Sequence, residues 1–552
     1  MASPPETLAP VAAREAVDLR RFSWIRPLVT AHARDYDRVA PLFSGNPSDH
    51  TAWQSTIARV SRGAPHRDAV ADALAAQLTR RQAPPAAHAG AALLRQPASV
   101  AIVTGQQAGL FGGPLYTLLK AVTAIQLARK VTREHGVPAV PVFWVDAEDH
   151  DWNEIRTAQI LDASFSVVDV SLGPLPGAGS EPVGRLVLDD SVETTIAALQ
   201  THLAPSDFTA DVIDLLRRRY RAGTGVGAAF AGLLDDLLGA EGLVVFESDD
   251  AALKPLVADL FVRELDQPCK TTKLARDAGA LMTSLGHAPQ VEPADDSVAL
   301  FHVNQGVRRS IRRQGEAFTT GDSTRSADEL KAEAQAHPER FSPNVLLRPI
   351  VQDRLFPTAC YVAGPSELAY QAQLGGIYRE FGVEPPLLYS RASATILDSA
   401  AARFFERSGM PLEALQAQDE SALNKLLESQ LPPGLDRAIG ESDAAFADRL
   451  AALKPLVAAI DPTLGGAVDT TVDKMRDTLK TLQSKIIHAA KRKDETLRRQ
   501  FTRTRALTFP AGTPQERALS VVFFLNRYGV GLGHRLLEML PLETDQHYVL
   551  TL

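Results

Sequence analysis

The stretch that most restricts what this chain can fold into is Val100–Ile155, VAIVTGQQAGLFGGPLYTLLKAVTAIQLARKVTREHGVPAVPVFWVDAEDHDWNEI. Val100–Thr104 is a short, β-branched apolar run, and Val140–Val145 repeats it; both read as strands buried on two faces. Between them Leu118, Leu119, Val122, Ile125, Leu127 and Ala128 recur mostly at three- and four-residue steps. That spacing predicts a crossover helix over Leu115–Lys130, opened by Gly112, Gly113 and Pro114 and closed by Gly136. Strand, helix and strand make a βαβ unit. Open parallel sheets bind ligands beyond the carboxyl ends of their strands, so the Gly105–Pro114 and Asp146–Asp151 loops are expected to share one crevice.

A chain of 552 residues exceeds what one core usually supports. Residues 1–97 read as a helical layer, in which the Pro/Ala stretch Gln82–Ala91 is a connector. Residues 98–395 read as an α/β core with a parallel sheet, carrying insertions near 164–240 and 268–340. Gly242–Glu247, Thr358–Val362 and Pro386–Tyr389 supply its further strands, Ser342 and Pro343 open a helix, and Ser366 caps another. From Val472 the positions Met475, Leu479, Leu482, Ile486, Ala489, Leu497 and Phe501 follow near-heptad spacing, interrupted at Lys493. Residues 396–510 are therefore expected to form a helical coiled-coil domain, with Leu412–Leu431 and Ala444–Ile460 as partners within the chain or across a dimer; a compact bundle is the alternative. Residues 511–552 read as helical, then extended, folding back onto the core.

No apolar run reaches the roughly 18–20 residues of a membrane span, and the MASPPETLAP start lacks a signal peptide's basic and apolar regions, so a cytoplasmic protein is expected. Cys269 and Cys360 stand far apart without CxxC spacing, which supports neither a disulfide framework nor a zinc cluster; no metal site is expected. The net charge of −8 argues against a surface coated with nucleic acid.

Four loops hold candidate chemistry. Gly105, Gly112, Gly113 and Pro114 permit a tight turn with free amides suited to an anion, and Gln106, Gln107, Tyr116, Thr117 and Lys120 crowd polar groups around it, Lys120 as a countercharge for phosphate or carboxylate. A purely structural turn is the competing reading. After the second strand come Glu148, Asp149, His150 and Asp151. A histidine between carboxylates suits proton transfer, whereas neighbouring residues of an extended chain diverge too much to chelate a metal. Gly364, Pro365 and Glu367 form a third turn, with Glu367 able to hold an amine, and Ser390, Arg391 and Ser393 form a fourth, with Arg391 facing phosphate.

Taken together, TGQQAGLFGGPLYTLLKA, PVFWVDAEDHDWNEI, LLRPIVQDRLFPTACYVAGPSELAYQAQL and SRASAT, with the heptad arm and PQER at Pro514–Arg517, resemble the bacillithiol-biosynthesis cysteine-adding enzyme family, BshC, nearly end to end. The resemblance implies a Rossmann-like core similar to class I aminoacyl-tRNA synthetases, with inserted connecting segments and a coiled-coil domain associated with homodimerisation. It implies a ligase that adds L-cysteine to the amine of glucosaminyl malate as an amide, with ATP as the activating nucleotide and no zinc cluster. Lys120, Asp149, His150 and Asp151 are then the candidate catalytic residues. The chain has neither a literal HIGH nor a KMSKS motif; Gly112–Lys120 and Ser390–Thr395 occupy comparable places in the order of elements. The competing function is an RNA-binding protein on a synthetase-like fold, suggested by Lys485, Lys491, Arg492, Lys493, Arg498, Arg499, Arg503 and Arg505 along one helix.

Overall fold

The computed structural model describes residues 14–429, 434–493 and 495–552, so MASPPETLAP, the end of the Leu412–Leu431 segment, and the side chains of Lys491, Arg492 and Lys493 lie outside the described residues. The strands in chain order are β1 (Arg14–Asp18), β2 (Val100–Gln107), β3 (Ala139–Asp146), β4 (Thr157–Leu161), β5 (Val167–Ser171), β6 (Val244–Glu247), β7 (Ser297–Asn304) and β8 (Val307–Gln314). They continue with β9 (Ala317–Thr320), β10 (Ser323–Ser326), β11 (Phe341–Pro343), β12 (Thr358–Ala363), β13 (Leu387–Ser390), β14 (Ser393–Leu397) and β15 (Gln546–Thr551). The chain divides into two units, residues up to Ile396 with Pro514–Leu552, and Leu397–Thr513.

In the first unit β13-β12-β2-β3-β6 form a wholly parallel sheet. Period-two alternation sends successive residues to opposite faces. Ala101 and Val103 share a core with Leu74 and Leu78 of the helix Arg67–Arg81 and with Ala87 and Ala91 of the helix Pro85–Leu93. Val100 and Ile102 share another with Ile57, Val60, Leu127 and Val131. Helices thus cover both faces, as a parallel sheet requires. Chain order runs outward from β2 through β3 to β6 on one side and through β12 to β13 on the other, so the order reverses between β2 and β12, where such sheets form their crevice.

Three local expectations need correction. Gln82–Ala91 is not a connector: Pro85 starts a helix whose Ala87 and Ala91 are core residues, and a Cβ on Gly90 would lie 2.9 Å from Val244 Cγ2. Small residues let this helix lie close against the sheet. Ser342 and Pro343 belong to β11, paired with β7; the Asn344 side chain accepts from Leu346 N at 2.9 Å and turns the chain into a helix that begins at Arg348. Gly364, not Ser366, occupies the cap position of Pro365–Gln371, and Glu367 reaches back to accept from Gly364 N at 2.7 Å.

The helical layer of residues 1–97 also contains a strand. β1 pairs antiparallel with β15, which pairs with β14 in a second sheet. β7 to β11 form an antiparallel third sheet within the 268–340 region and just beyond it, and β4 and β5 form a hairpin.

In the second unit the helices Leu435–Ala458 and Gly465–Lys493 pack together and are joined by ion pairs from Lys454 to Asp469 at 2.7 Å and Arg476 to Asp443 at 3.1 Å. Arg503 binds Asp398, Arg498 lies 3.4 Å from Glu420, and Arg505 donates to the Asp419 carbonyl, so these three basic residues are engaged within the arm. Among the described residues no helix is long and apolar enough to cross a membrane.

Candidate functional site

A cavity of about 560 Å³ opens at the carboxyl ends of β2, β3 and β12, a size suited to a small molecule. Of the expected residues, Gly105, Gln106, Gln107, Tyr116, Lys120, Glu148, Asp149, Gly364, Pro365, Glu367 and Arg391 line it. Gly112, Gly113, Pro114, Thr117, His150, Asp151, Ser390 and Ser393 do not.

The glycine turn fails as an anion cradle because the chain itself occupies it. Val521 N donates to the Gly113 carbonyl at 2.7 Å, Leu115 N donates to the Leu519 carbonyl at 2.9 Å, and Pro114 bridges to Ser520. Gly112 N and Gly113 N donate to the Gly109 and Leu110 carbonyls, and Thr117 is buried. These amides therefore have partners already.

Lys120 is likewise engaged. Its ammonium lies 2.5 Å from Glu367 and donates to the Gly105 carbonyl at 2.6 Å and to Gln106 Oε1 at 2.9 Å, so three partners meet its three protons. Burial holds this lysine below its ordinary pKa, against the pull of Glu367. Burial raises the Glu367 carboxyl, but Lys120 outweighs it and holds the group below the usual glutamate range. The amine that Glu367 holds is thus the protein's own; it also accepts from Tyr361 Oη at 2.7 Å.

The acidic loop divides. Asp149 accepts from Gln107 at 2.6 Å and lies 3.5 Å from Arg308. His150 turns away, its Nδ1 2.9 Å from Arg308 Nη1; an arginine can only donate, which leaves the imidazole proton on Nε2. Asp151 caps the short helix Trp152–Ile155. Glu148 is buried against Lys254, and burial holds its carboxyl above the ordinary range despite that partner. Asp146, at the end of β3, is raised chiefly by burial, with Arg348 opposing.

In the fourth loop Arg391 lies 2.7 Å from Glu516. Ser393 Oγ bonds to Glu516 and to His547 Nδ1, at 3.0 and 2.8 Å, and Ser390 is buried. Ser393 is therefore engaged by Glu516 and by His547 of the second sheet, while the Ser390 hydroxyl is buried at the end of β13.

Sequence reasoning misses Arg308, Arg348 and Arg517, which reach the cavity from β8, from a helix start and from the returning C-terminal segment. The basic run around Arg308 and the PQER segment are visible signals, but neither lies beside a parallel strand in sequence. Arg348, 8% exposed, donates to Gln352 Oε1 and Tyr370 Oη, each at 3.1 Å, and sits 5.8 Å from the Trp144 ring. Both hydrogen-bond partners are neutral, and among the described residues no carboxylate lies within ion-pair distance of it. Asp146, Asp149 and Glu154 line the same cavity, which therefore offers a cation for an anionic group and carboxylates for an amine.

Comparison with known proteins agrees with this architecture. The family profile described as bacillithiol biosynthesis BshC, N-terminal Rossmann-like domain, matches residues 15–392, and the BshC C-terminal coiled-coil domain matches residues 394–552. A protein from Salinibacter ruber named "Putative cysteine ligase BshC" is 34% identical over 95% of both chains. Proteins of the same name from Koribacter versatilis and Symbiobacterium thermophilum are 33% and 32% identical, over 86% and 93% of this chain and 87% and 95% of theirs.

Proposed function

Because the chain belongs to the bacillithiol biosynthesis BshC family, we propose that it is a cytoplasmic ligase that joins the carboxyl of L-cysteine to the amine of glucosaminyl malate as an amide. The observation that carries this reading is Arg348, a buried guanidinium facing the cavity with neutral hydrogen-bond partners, in the same space as Asp146, Asp149 and Glu154. Arg348 binds and orients a carboxylate. An amine arrives protonated and must lose a proton before its lone pair can attack; Asp146, whose carboxyl is raised by burial, or Asp149 receives it. His150 is placed less well for this task, because its Nδ1 is engaged by Arg308.

The charge of Arg308 and Arg348 suits the cavity to ATP, whose phosphates they would hold beside the carboxyl. When bound, it supplies the leaving group that makes a carboxyl reactive. Pure protein incubated with cysteine, glucosaminyl malate and ATP is expected to yield the amide by mass spectrometry. Arg348→Gln is expected to lower kcat/KM about 10–100-fold, the worth of a charge-assisted hydrogen bond. Absence of product from the wild type counts against the ligase.

The arm is proposed to pair with a second copy. Leu453, Leu456 and Ile460 are exposed toward the end of Leu435–Ala458 and just beyond it, Ile460 by 82%, leaving apolar side chains that a second copy would cover. Leu456→Asp with Ile460→Asp is expected to shift the mass in light scattering from dimer to monomer; an unchanged mass rejects this interface.

A further inference from the structure

Five cationic side chains line the cavity, and four are held by the protein: Lys120 by Glu367, Arg391 by Glu516, Arg308 by Ser342, Pro343 and Asp149, and Arg348 by Gln352 and Tyr370. Arg517 differs. It is exposed, its guanidinium lies 6.0 Å from the Tyr116 ring centroid, and among the described residues its side chain makes no hydrogen bond or ion pair.

The backbone that carries Arg517 is nevertheless fixed. Gln515 accepts from Ile396 N and donates to its carbonyl, at 2.7 and 2.8 Å, while Glu516 accepts from Ala394 N at 2.9 Å and binds Arg391. Two residues beyond the short helix Gln515–Ala518, Ser520 N donates to the Gln159 carbonyl at 2.8 Å. A free guanidinium on a clamped backbone, beside an aromatic ring, is a partly ordered anion ligand, because much of the chain entropy that binding would otherwise cost is already lost.

Depth decides which anion it meets. Arg348 is buried and Arg517 stands at the solvent-exposed rim. On the ligase reading the amine must reach the carboxyl held at Arg348 and a base at Asp146 or Asp149, so an acceptor with an amine at one end and carboxylates at the other enters amine first and leaves its carboxylates at the rim. We propose that Arg517 binds the carboxylate end of the acceptor and so sets the preference for glucosaminyl malate over the bare amino sugar. This rests on the ligase reading above and assigns one residue to one end of its substrate.

The test compares wild type, Arg517→Gln and Arg517→Lys with glucosaminyl malate and with glucosamine. In the glutamine variant the acceptor KM is expected to rise about 10–100-fold while the cysteine KM stays put, with the preference for glucosaminyl malate over glucosamine falling by a similar factor. Lysine recovers part of the loss, since it keeps the charge but not the planar fork. Calorimetric titration with glucosaminyl malate needs no turnover, so it decides the role of Arg517 even if no amide forms, a result that would count against the ligase reading alone. Equal acceptor affinity in Arg517→Gln and wild type overturns the proposal, and so does a loss confined to the KM for ATP.

Discussion

Two turns of this molecule look alike in sequence and do different work. The β2 turn, GGP at Gly112–Pro114, and the β12 turn, GP at Gly364–Pro365, each follow a buried parallel strand and lead into a helix. The richer of the two is the structural one: the Gly113 carbonyl accepts from Val521 N and the Leu115 amide that follows the turn donates to the Leu519 carbonyl. The plainer one lines the cavity and fixes Glu367, which in turn fixes Lys120. Glycine content gives a loop the freedom to approach something; the distant segment that fills the space decides what it approaches.

The largest test of this contrast is the ion pair at the β12 turn. Lys120→Met leaves Glu367 without its cation in a site where the two side chains are 4% and 19% exposed. A loss of about 3–5 kcal/mol is expected in urea denaturation, partly recovered by adding Glu367→Gln. A Lys120→Met protein of wild-type stability with abolished ligation would instead make this lysine a ligand for substrate.

Glycine replacements come next. Gly113 combines a φ of 65° with a ψ of −165°, a region essentially reserved for glycine, so Gly113→Ala is expected to cost about 1–3 kcal/mol. Ligation per folded molecule should persist, because this turn lies outside the cavity. Gly364 has an ordinary φ of −77°, but a Cβ there would lie 3.2 Å from Glu367 Oε2. Gly364→Ala is therefore expected to change ligation more than stability; the reverse pattern in the pair would dissolve the distinction between the turns.

The smallest effect is a pH dependence confined to the β12 turn. Glu367 is depressed in the folded chain below its usual value of 4.5, so its stabilising contribution is present above that value and is lost as the pH falls through the lower folded pKa. Denaturation curves of Glu367→Gln should lack this acid-side loss. A variant that keeps the wild-type slope assigns it to other carboxylates.

Much of the fold is legible in the sequence because parallel strands and amphipathic helices write their periods into short windows, as in Val100–Thr104, Val140–Val145 and the heptad positions from Met475. The cavity is legible where it follows a strand end, at Gln106, Gln107 and Asp149. It is illegible where residues arrive from afar. Arg308 sits on an antiparallel strand and Arg348 on a helix start, and nothing local says which of many arginines will be buried with neutral partners. His150 misleads because two carboxylates adjacent in sequence matter less than one arginine far along the chain. The Pro/Ala helix escapes notice for the opposite reason: small residues weaken the apolar signal while allowing the closest packing.

The arm interrupts the core, since Leu397–Thr513 lies between β14 and the segment that carries Gln515, Glu516 and Arg517. On the ribosome, then, the cavity waits. At about 5–20 residues per second, the arm takes on the order of ten seconds to synthesise before the segment that clamps Arg391 and occupies the β2 turn emerges. A core that reached this fold before that segment emerged would hold a bare glycine turn and an Arg391 without its Glu516, so the segment Pro514–Leu552 completes a site whose strands were made long before it.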